Sequence, residues 1–292
     1  MIDSPKVFSS LCLDPEPPSR IIGIVLVRDE DIFVRQAVTN ILDFCDSIIV
    51  TDHKSTDRTS DILRELAAEH NKIDYHLIDD MAVSHELIKG YAGQKVWVFG
   101  VDGDEVYDPA GLAQFREVIQ AGHYDDYWMI FGNVLNCLEF DHDRASARGY
   151  LAAPCRSMTK LYNFNAIDSW ETSSGERLHG GDVSFRKGYG NSIRLCLHEK
   201  LSWEEAKFRC LHLCFLQRSS IQKKRRGRFL PRPNPADIMT RSLAQRMLSS
   251  IRGLFGIPEQ GKAEWKIEKF TRGELVEKDV SAFFPSSEQG GR

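Results

Sequence analysis

The chain has 292 residues, 42% hydrophobic and 27% charged, with a formal net charge of −4. That is enough for one large domain, or a domain with an appendage, and it is the composition of a globular protein rather than a disordered or fibrous one. No apolar run reaches the ~20 residues of a membrane-spanning helix, the Pro- and Ser-rich start lacks the pattern of a signal peptide, and seven unevenly spaced cysteines point to reduced thiols in a cytoplasm.

Residues 20–27 form an apolar run that reads as a strand. It gives way to Arg28-Asp29-Glu30-Asp31 and then to helical spacing through Val34, Val38, Ile41 and Leu42. A second strand, 47–52, ends in Asp52, and the polar stretch 53–61 leads into a helix beginning near Ile62. A third, 96–101, is rich in β-branched and aromatic residues and ends at Asp102-Gly103-Asp104. Strands are also predicted over 125–132 and 157–162. Two later apolar segments, 193–201 and 207–215, carry Glu199 and His212. Between them and the earlier strands, the glycine-rich stretch 170–190 reads as a loop able to close over a ligand.

Strand, polar loop, helix, repeated, is the rhythm of an α/β protein with a doubly wound, mostly parallel sheet and helices on both faces. Ligands collect beyond the carboxyl ends of such strands, so the loops holding Asp29, Asp52 and Asp102 should converge. Residues i and i+2 of an extended segment face the same way, which turns Asp102 and Asp104 toward one ligand. Gly103 removes a side chain between them. Hard carboxylate oxygens suit Mg²⁺ or Mn²⁺, whose shell is commonly completed by phosphate oxygens.

Val27-Arg28-Asp29-Glu30, the run from Ile48 to Asp57, and Val101-Asp102-Gly103-Asp104-Glu105 resemble the three N-terminal signatures of glycosyltransferase family 2. The resemblance is clear over 20–110 and looser to 220. Asp29 stands where that family commonly has Asn, and His53-Lys54 where it has Asn-Gly. The resemblance implies a GT-A fold, a nucleotide-sugar donor, Mn²⁺ or Mg²⁺, and inverting transfer to a glycan or lipid-linked acceptor hydroxyl. It implies nucleotide contacts from Asp29, Asp52 and Asp102, and a metal ligand at Asp104. Glu199 would be the catalytic base and His212 a metal ligand or diphosphate contact. Lys223 and Arg226 would match a basic segment of the family. Glu171, Glu176 and Asp182 are rival bases, and His179-Gly180-Gly181 is a weaker candidate for a phosphate or acceptor contact. Such chemistry needs a carboxylate to take the acceptor proton and cations to offset charge on the leaving diphosphate.

Charge is unevenly placed. Residues 221–292 carry 15 Lys/Arg against 8 Asp/Glu, and the residues before them 23 against 34. Helical spacing over 236–255 predicts a helix that caps the core or lies on a membrane interface. The expected organisation is an N-terminal extension (1–19), a GT-A-like domain (20–220) and a basic, helical C-terminal appendage (221–292). The basic segment suits peripheral contact with an anionic membrane on its cytoplasmic side. It lacks the interleaved aromatics of a nucleic-acid reader, so no nucleic-acid partner is expected. Cys210-x-His212-x-Cys214, with Cys196-x-His198, offers a zinc alternative, although a straight strand spreads the first three over roughly 13 Å. Two further classes remain: a non-catalytic glycan- or nucleotide-binding scaffold, and a sugar-phosphate nucleotidyltransferase. The latter normally needs a Gly-rich loop after the first strand, and residues 25–30 contain no glycine.

Overall fold

The computed structural model describes residues 18–80, 82–152, 160–171, 182–221 and 270–285. The first elements run β1 (Arg20–Val27), α1 (Val34–Thr39), β2 (Ser47–Asp52), α2 (Thr59–Glu69), β3 (Ile73–Leu77), α3 (Val83–Lys89) and β4 (Val96–Asp102). They continue with β5 (Glu105–Tyr107), α4 (Pro109–Gln120), β6 (Met129–Phe131), β7 (Asn133–Asp141), β8 (Ser146–Ala152) and β9 (Lys160–Asn163). Then come β10 (Ile167–Trp170), β11 (Val183–Phe185), β12 (Arg194–Cys196), β13 (Arg209–His212) and β14 (Glu274–Asp279).

The main sheet has the order β12-β6-β9-β4-β1-β2-β3. β4, β1, β2 and β3 are mutually parallel, while β9 runs antiparallel between β4 and β6. Alternate residues of β1 and β4 enter two cores. Ile21, Val25, Trp97, Phe99 and Val101 pack with α1, α2 and α4 on one face. Ile22, Ile24, Val96 and Val98 pack with Ile88 of α3 on the other. This is the mostly parallel, doubly wound arrangement that the alternation of strands and helices predicts. α4 begins on a sequence-legible signal, Asp108 before Pro109, whose carboxylate accepts the Gly111 N–H at 3.0 Å.

A second sheet, β14-β8-β7-β13-β5, stands beside the first. Because β5 leaves β4 after only two residues, this sheet begins at the Asp102-Gly103-Asp104 turn. Register in it places His212 opposite Glu105 on β5 and Asn136 on β7.

The helical C-terminal appendage needs correction where the chain is described. Residues 274–279 are a strand that edges the second sheet through β8. Val280 and Phe283 are buried, and the Phe283 carbonyl accepts Asn40 Nδ2 at 2.8 Å. The apolar side chains after β14 are thus part of the protein's core. The basic run with Lys223 and Arg226, the helix expected over 236–255, residues 1–17 of the N-terminal extension, Glu176 and His179-Gly180-Gly181 lie outside the described residues. The described ends of the glycine-rich stretch are paired as the β10–β11 ribbon.

Candidate active site

Asp102 and Asp104 leave the carboxyl end of β4 differently. The Asp102 side chain is 41% exposed, with its Oδ1 4.0 Å from Lys160 Nζ on β9. Asp104 is buried, and its Oδ2 lies 2.9 Å from Arg218 Nη1 and 3.9 Å from His212 Nε2. His212 is buried as well, and its Nδ1 meets Asn136 Oδ1 at 2.8 Å. An amide oxygen only accepts, so Nδ1 carries the proton in the neutral ring and the Nε2 lone pair faces Asp104. Main chain reinforces the pairing, since the Leu213 N–H donates to the Asp104 carbonyl at 2.9 Å.

Two more carboxyls flank the turn. Glu30 is buried at the end of β1, with Oε1 2.8 Å from Arg218 Nη1. Glu105 is buried on β5, and its Oε2 accepts from the Asp102 N–H (3.2 Å) and the Tyr107 hydroxyl (3.3 Å). Glu30 Oε2 and Glu105 Oε1 have no hydrogen-bond partner among the described residues. Burial pushes the Glu30 carboxyl well above the usual range, Arg218 pulls it down, and the charges of Asp104, Asp102 and Asp57 add to the rise. Burial and then Asp102 push Glu105 upward, against Lys160. Orphaned oxygens beside an Asp–His pair are what a cation site leaves when only protein atoms are counted. Oxygen and imidazole donors suit Mn²⁺ or Mg²⁺; Asp104 and His212 would hold the ion, with Asp102 at the mouth.

Asp29 and Asp52 serve the loops. Asp52 is fully buried; Oδ1 accepts the Ser55 N–H (2.9 Å), and Oδ2 accepts the Tyr75 hydroxyl (3.0 Å) and the Ser60 hydroxyl. These three hydrogen bonds tie Asp52 to the loop after β2 and place the expected nucleotide contact at the base of that loop. Asp29 adopts φ 53°, a left-handed conformation that Asp tolerates. Its N–H donates to Ser55 Oγ (3.0 Å) and its Oδ1 accepts the Thr56 N–H (2.6 Å), which locks the β1 and β2 loops together. Lys54, Ser55, Thr56, Asp57, Ser60 and Arg64 line an open depression beside them.

Glu199 sits in a one-turn 3₁₀ helix after β12, its side chain 68% exposed. Register places it on the same rim. Cys196 pairs with Phe131, Phe131 with Lys160, and Lys160 with Gly100 of β4. Three strand spacings, about 14 Å, separate that row's ends, and Glu199 and Asp102 both lie just beyond it. Glu199 Oε1 is 3.9 Å from His198 Nε2. Burial lowers the His198 pKa, with the Glu199 charge opposing. Of the rivals, Glu171 and Asp182 are exposed at the base of the β10–β11 ribbon.

The zinc set on β13 does not form. Cys210 packs into the first core and Cys214 into a separate cluster with Phe215 and Phe270. Cys196, His198 and Glu199 do bring three ligand atoms within 4.8 Å of one another. Their thiol and imidazole favour a softer ion than Mn²⁺ or Mg²⁺.

Sequence reasoning assigned no role to Glu30, Glu105, Asn136, Lys160 or Arg218. Glu30 and Glu105 were visible inside the signature segments. Asn136, Lys160 and Arg218 carry no local signal; strand pairing recruits Asn136 and Lys160, and the segment after β13, tied to the β1 loop through the Ile32 N–H to Arg218 carbonyl bond, brings Arg218.

No family model matches the chain. An uncharacterized glycosyltransferase of Rickettsia conorii is 26% identical over 153 residues, 49% of this chain and 48% of that protein. One of Rickettsia typhi is 26% identical over 153 residues, covering 49% and 46%. The chain thus spans about half the length of the curated relatives it matches. Among solved structures, a mannosyltransferase of Pyrobaculum calidifontis, in complex with GDP-Man and Mn²⁺, is 19% identical over 41% of this chain and 36% of its own, with a TM-score of 0.31. Glucosyl-3-phosphoglycerate synthase of Mycobacterium tuberculosis, in complex with Mn²⁺, UDP and glucosyl-3-phosphoglycerate, is 17% identical over 39% of this chain and 44% of its own, with a TM-score of 0.29. At these scores the fold reading rests on the strand order itself.

Proposed function

We propose that the protein is a metal-assisted, inverting glycosyltransferase that moves a sugar from a nucleotide-sugar donor to a glycan or lipid-linked acceptor hydroxyl. The observation that carries this reading is the meeting of Asp104 with His212 at the carboxyl end of β4, with Asp102 exposed beside them. A bound Mn²⁺ or Mg²⁺ would supply Lewis-acid stabilisation of the leaving diphosphate. Asp104 and His212 would hold that ion, and Asp102 would meet it or the ribose hydroxyls. The β1 and β2 loops, locked by Asp29 and Asp52, form the wall against which the nucleoside rests. Lys160 adds a positive charge at the mouth. Glu199, exposed on the same rim of the sheet, takes the acceptor proton as its oxygen attacks the anomeric carbon. The glycosyltransferase names of the two Rickettsia relatives point the same way. The basic residues after 221 would bring the enzyme to an anionic, cytoplasmic membrane face and its lipid-linked acceptor.

Calorimetric titration of the full chain with UDP and with GDP, each with and without Mn²⁺, tests this. Mn²⁺-dependent binding of one of them, lost in Asp104→Ala, is expected. Absence of binding to either would overturn the reading, and binding without donor turnover would favour a scaffold of the same fold.

A further inference from the structure

One nitrogen, Arg218 Nη1, donates to both Glu30 Oε1 (2.8 Å) and Asp104 Oδ2 (2.9 Å). Acids from the ends of β1 and β4 thus share a single cation. All three side chains are largely buried, with Arg218 the most exposed at 16%. The second Glu30 oxygen, Oε2, has no hydrogen-bond partner among the described residues. It lies against Gly103, where an added Cβ would overlap it. A buried carboxylate oxygen in that condition is costly unless something positive completes it.

Asp104 Oδ2 is also the oxygen 3.9 Å from His212 Nε2. A divalent ion coordinated there would sit about 2.1 Å from that oxygen. It would then press against Nη1, and like charges so close in a buried site repel strongly. The backbone around Arg218 is held in place. Its carbonyl accepts the Ile32 N–H (3.1 Å), Ser219 Oγ donates to Asp57 Oδ2 (2.5 Å), and the Ser220 N–H donates to Asp31 Oδ1 (2.7 Å). None of these ties passes through the guanidinium, so the main chain is anchored to the β1 and β2 loops independently of the Arg218 side chain.

We infer that Arg218 is a resident cation which holds Glu30 and Asp104 until a divalent ion displaces it, that Glu30 then becomes a further ligand of that ion, and that the released guanidinium turns to the diphosphate of the incoming nucleotide. This rests on Asp104 and His212 being the cation site. The consequence is thermodynamic coupling. The ion must expel Arg218, and a diphosphate gives the expelled guanidinium a partner suited to its planar fork. Ion and nucleoside diphosphate therefore each strengthen the binding of the other, by equal factors.

The test measures Mn²⁺ affinity of the full chain from the electron paramagnetic resonance signal of unbound Mn²⁺, alone and with saturating UDP or GDP. In the wild type the nucleotide should tighten Mn²⁺ binding about tenfold or more. Arg218→Gln should bind Mn²⁺ alone about tenfold more tightly than the wild type and respond less to nucleotide. Glu30→Gln, which keeps an acceptor for Arg218 but loses the charge, should weaken Mn²⁺ binding about tenfold. Circular dichroism melts confirm that each variant is folded. Independent binding of Mn²⁺ and nucleotide by the wild type overturns the inference without any variant. So does Mn²⁺ affinity that is unchanged or weaker in Arg218→Gln while Asp104→Ala still abolishes binding, and that result leaves the cation site standing. Mn²⁺ binding that survives Asp104→Ala removes the site reading itself.

Discussion

Asn136 Oδ1 lies 2.8 Å from His212 Nδ1, and this one hydrogen bond decides which imidazole nitrogen faces Asp104. The two residues are 76 apart in the chain and meet because β7 and β13 pair in parallel at that register. Partners of this kind fix the tautomer and orientation of a ligating histidine. Asn136→Ala should therefore weaken Mn²⁺ binding about 10–100-fold, measured by the same resonance titration. Wild-type affinity in that variant would remove His212 from the ion's shell.

Glu105 makes stability pH-dependent. Burial, reinforced by Asp102, raises its folded-state pKa above the usual value of 4.5, so the folded protein favours the protonated acid. The stability this confers is full below the unfolded pKa and is lost as pH rises through the folded one. Glu105→Gln retains hydrogen-bonding atoms but never ionises. Its Tm relative to the wild type should climb as pH rises above the usual carboxylate value, each 1 kcal/mol appearing as about 2–4 °C. Parallel Tm-versus-pH curves would show that Glu105 does not resist ionisation.

Gly103 is required by packing rather than by backbone conformation. A Cβ there would overlap Glu30 Oε2 and approach Val27 Cγ1 to 2.9 Å. Gly103→Ala should cost about 1–3 kcal/mol in urea unfolding and weaken Mn²⁺ binding by pushing Glu30 aside. Full stability would mean that Glu30 lies elsewhere.

Glu199→Gln should lower kcat about 10²–10⁴-fold while UDP or GDP affinity holds, because Glu199 stands about three strands from the cation ligands. Glu171→Gln and Asp182→Asn, at the base of the neighbouring ribbon, should keep most activity. If Glu171→Gln or Asp182→Asn carries the loss instead, the base belongs to the ribbon.

β1, α1, β2, α2 and β4 were legible because each is a local pattern, an apolar run or a helical spacing bounded by polar residues, whereas β3, whose Ile73-Asp74-Tyr75-His76-Leu77 is not an apolar run, and the short α3 were not predicted. The acids at the carboxyl ends followed from the rule that parallel strands share one rim. Pattern failed where residues meet through pairing. β14 reads locally as a charged, alternating segment, and only its hydrogen bonds to β8 make it a strand. Nor does local pattern show that Asp52 is tied to Ser55, Ser60 and Tyr75. Composition and local periodicity therefore determined the α/β layering and the acidic turn after β4. The second sheet decided the site, because it alone sets His212, Asn136 and Glu105 in register beside Asp104, and no local signal encodes a contact between strands about 100 residues apart.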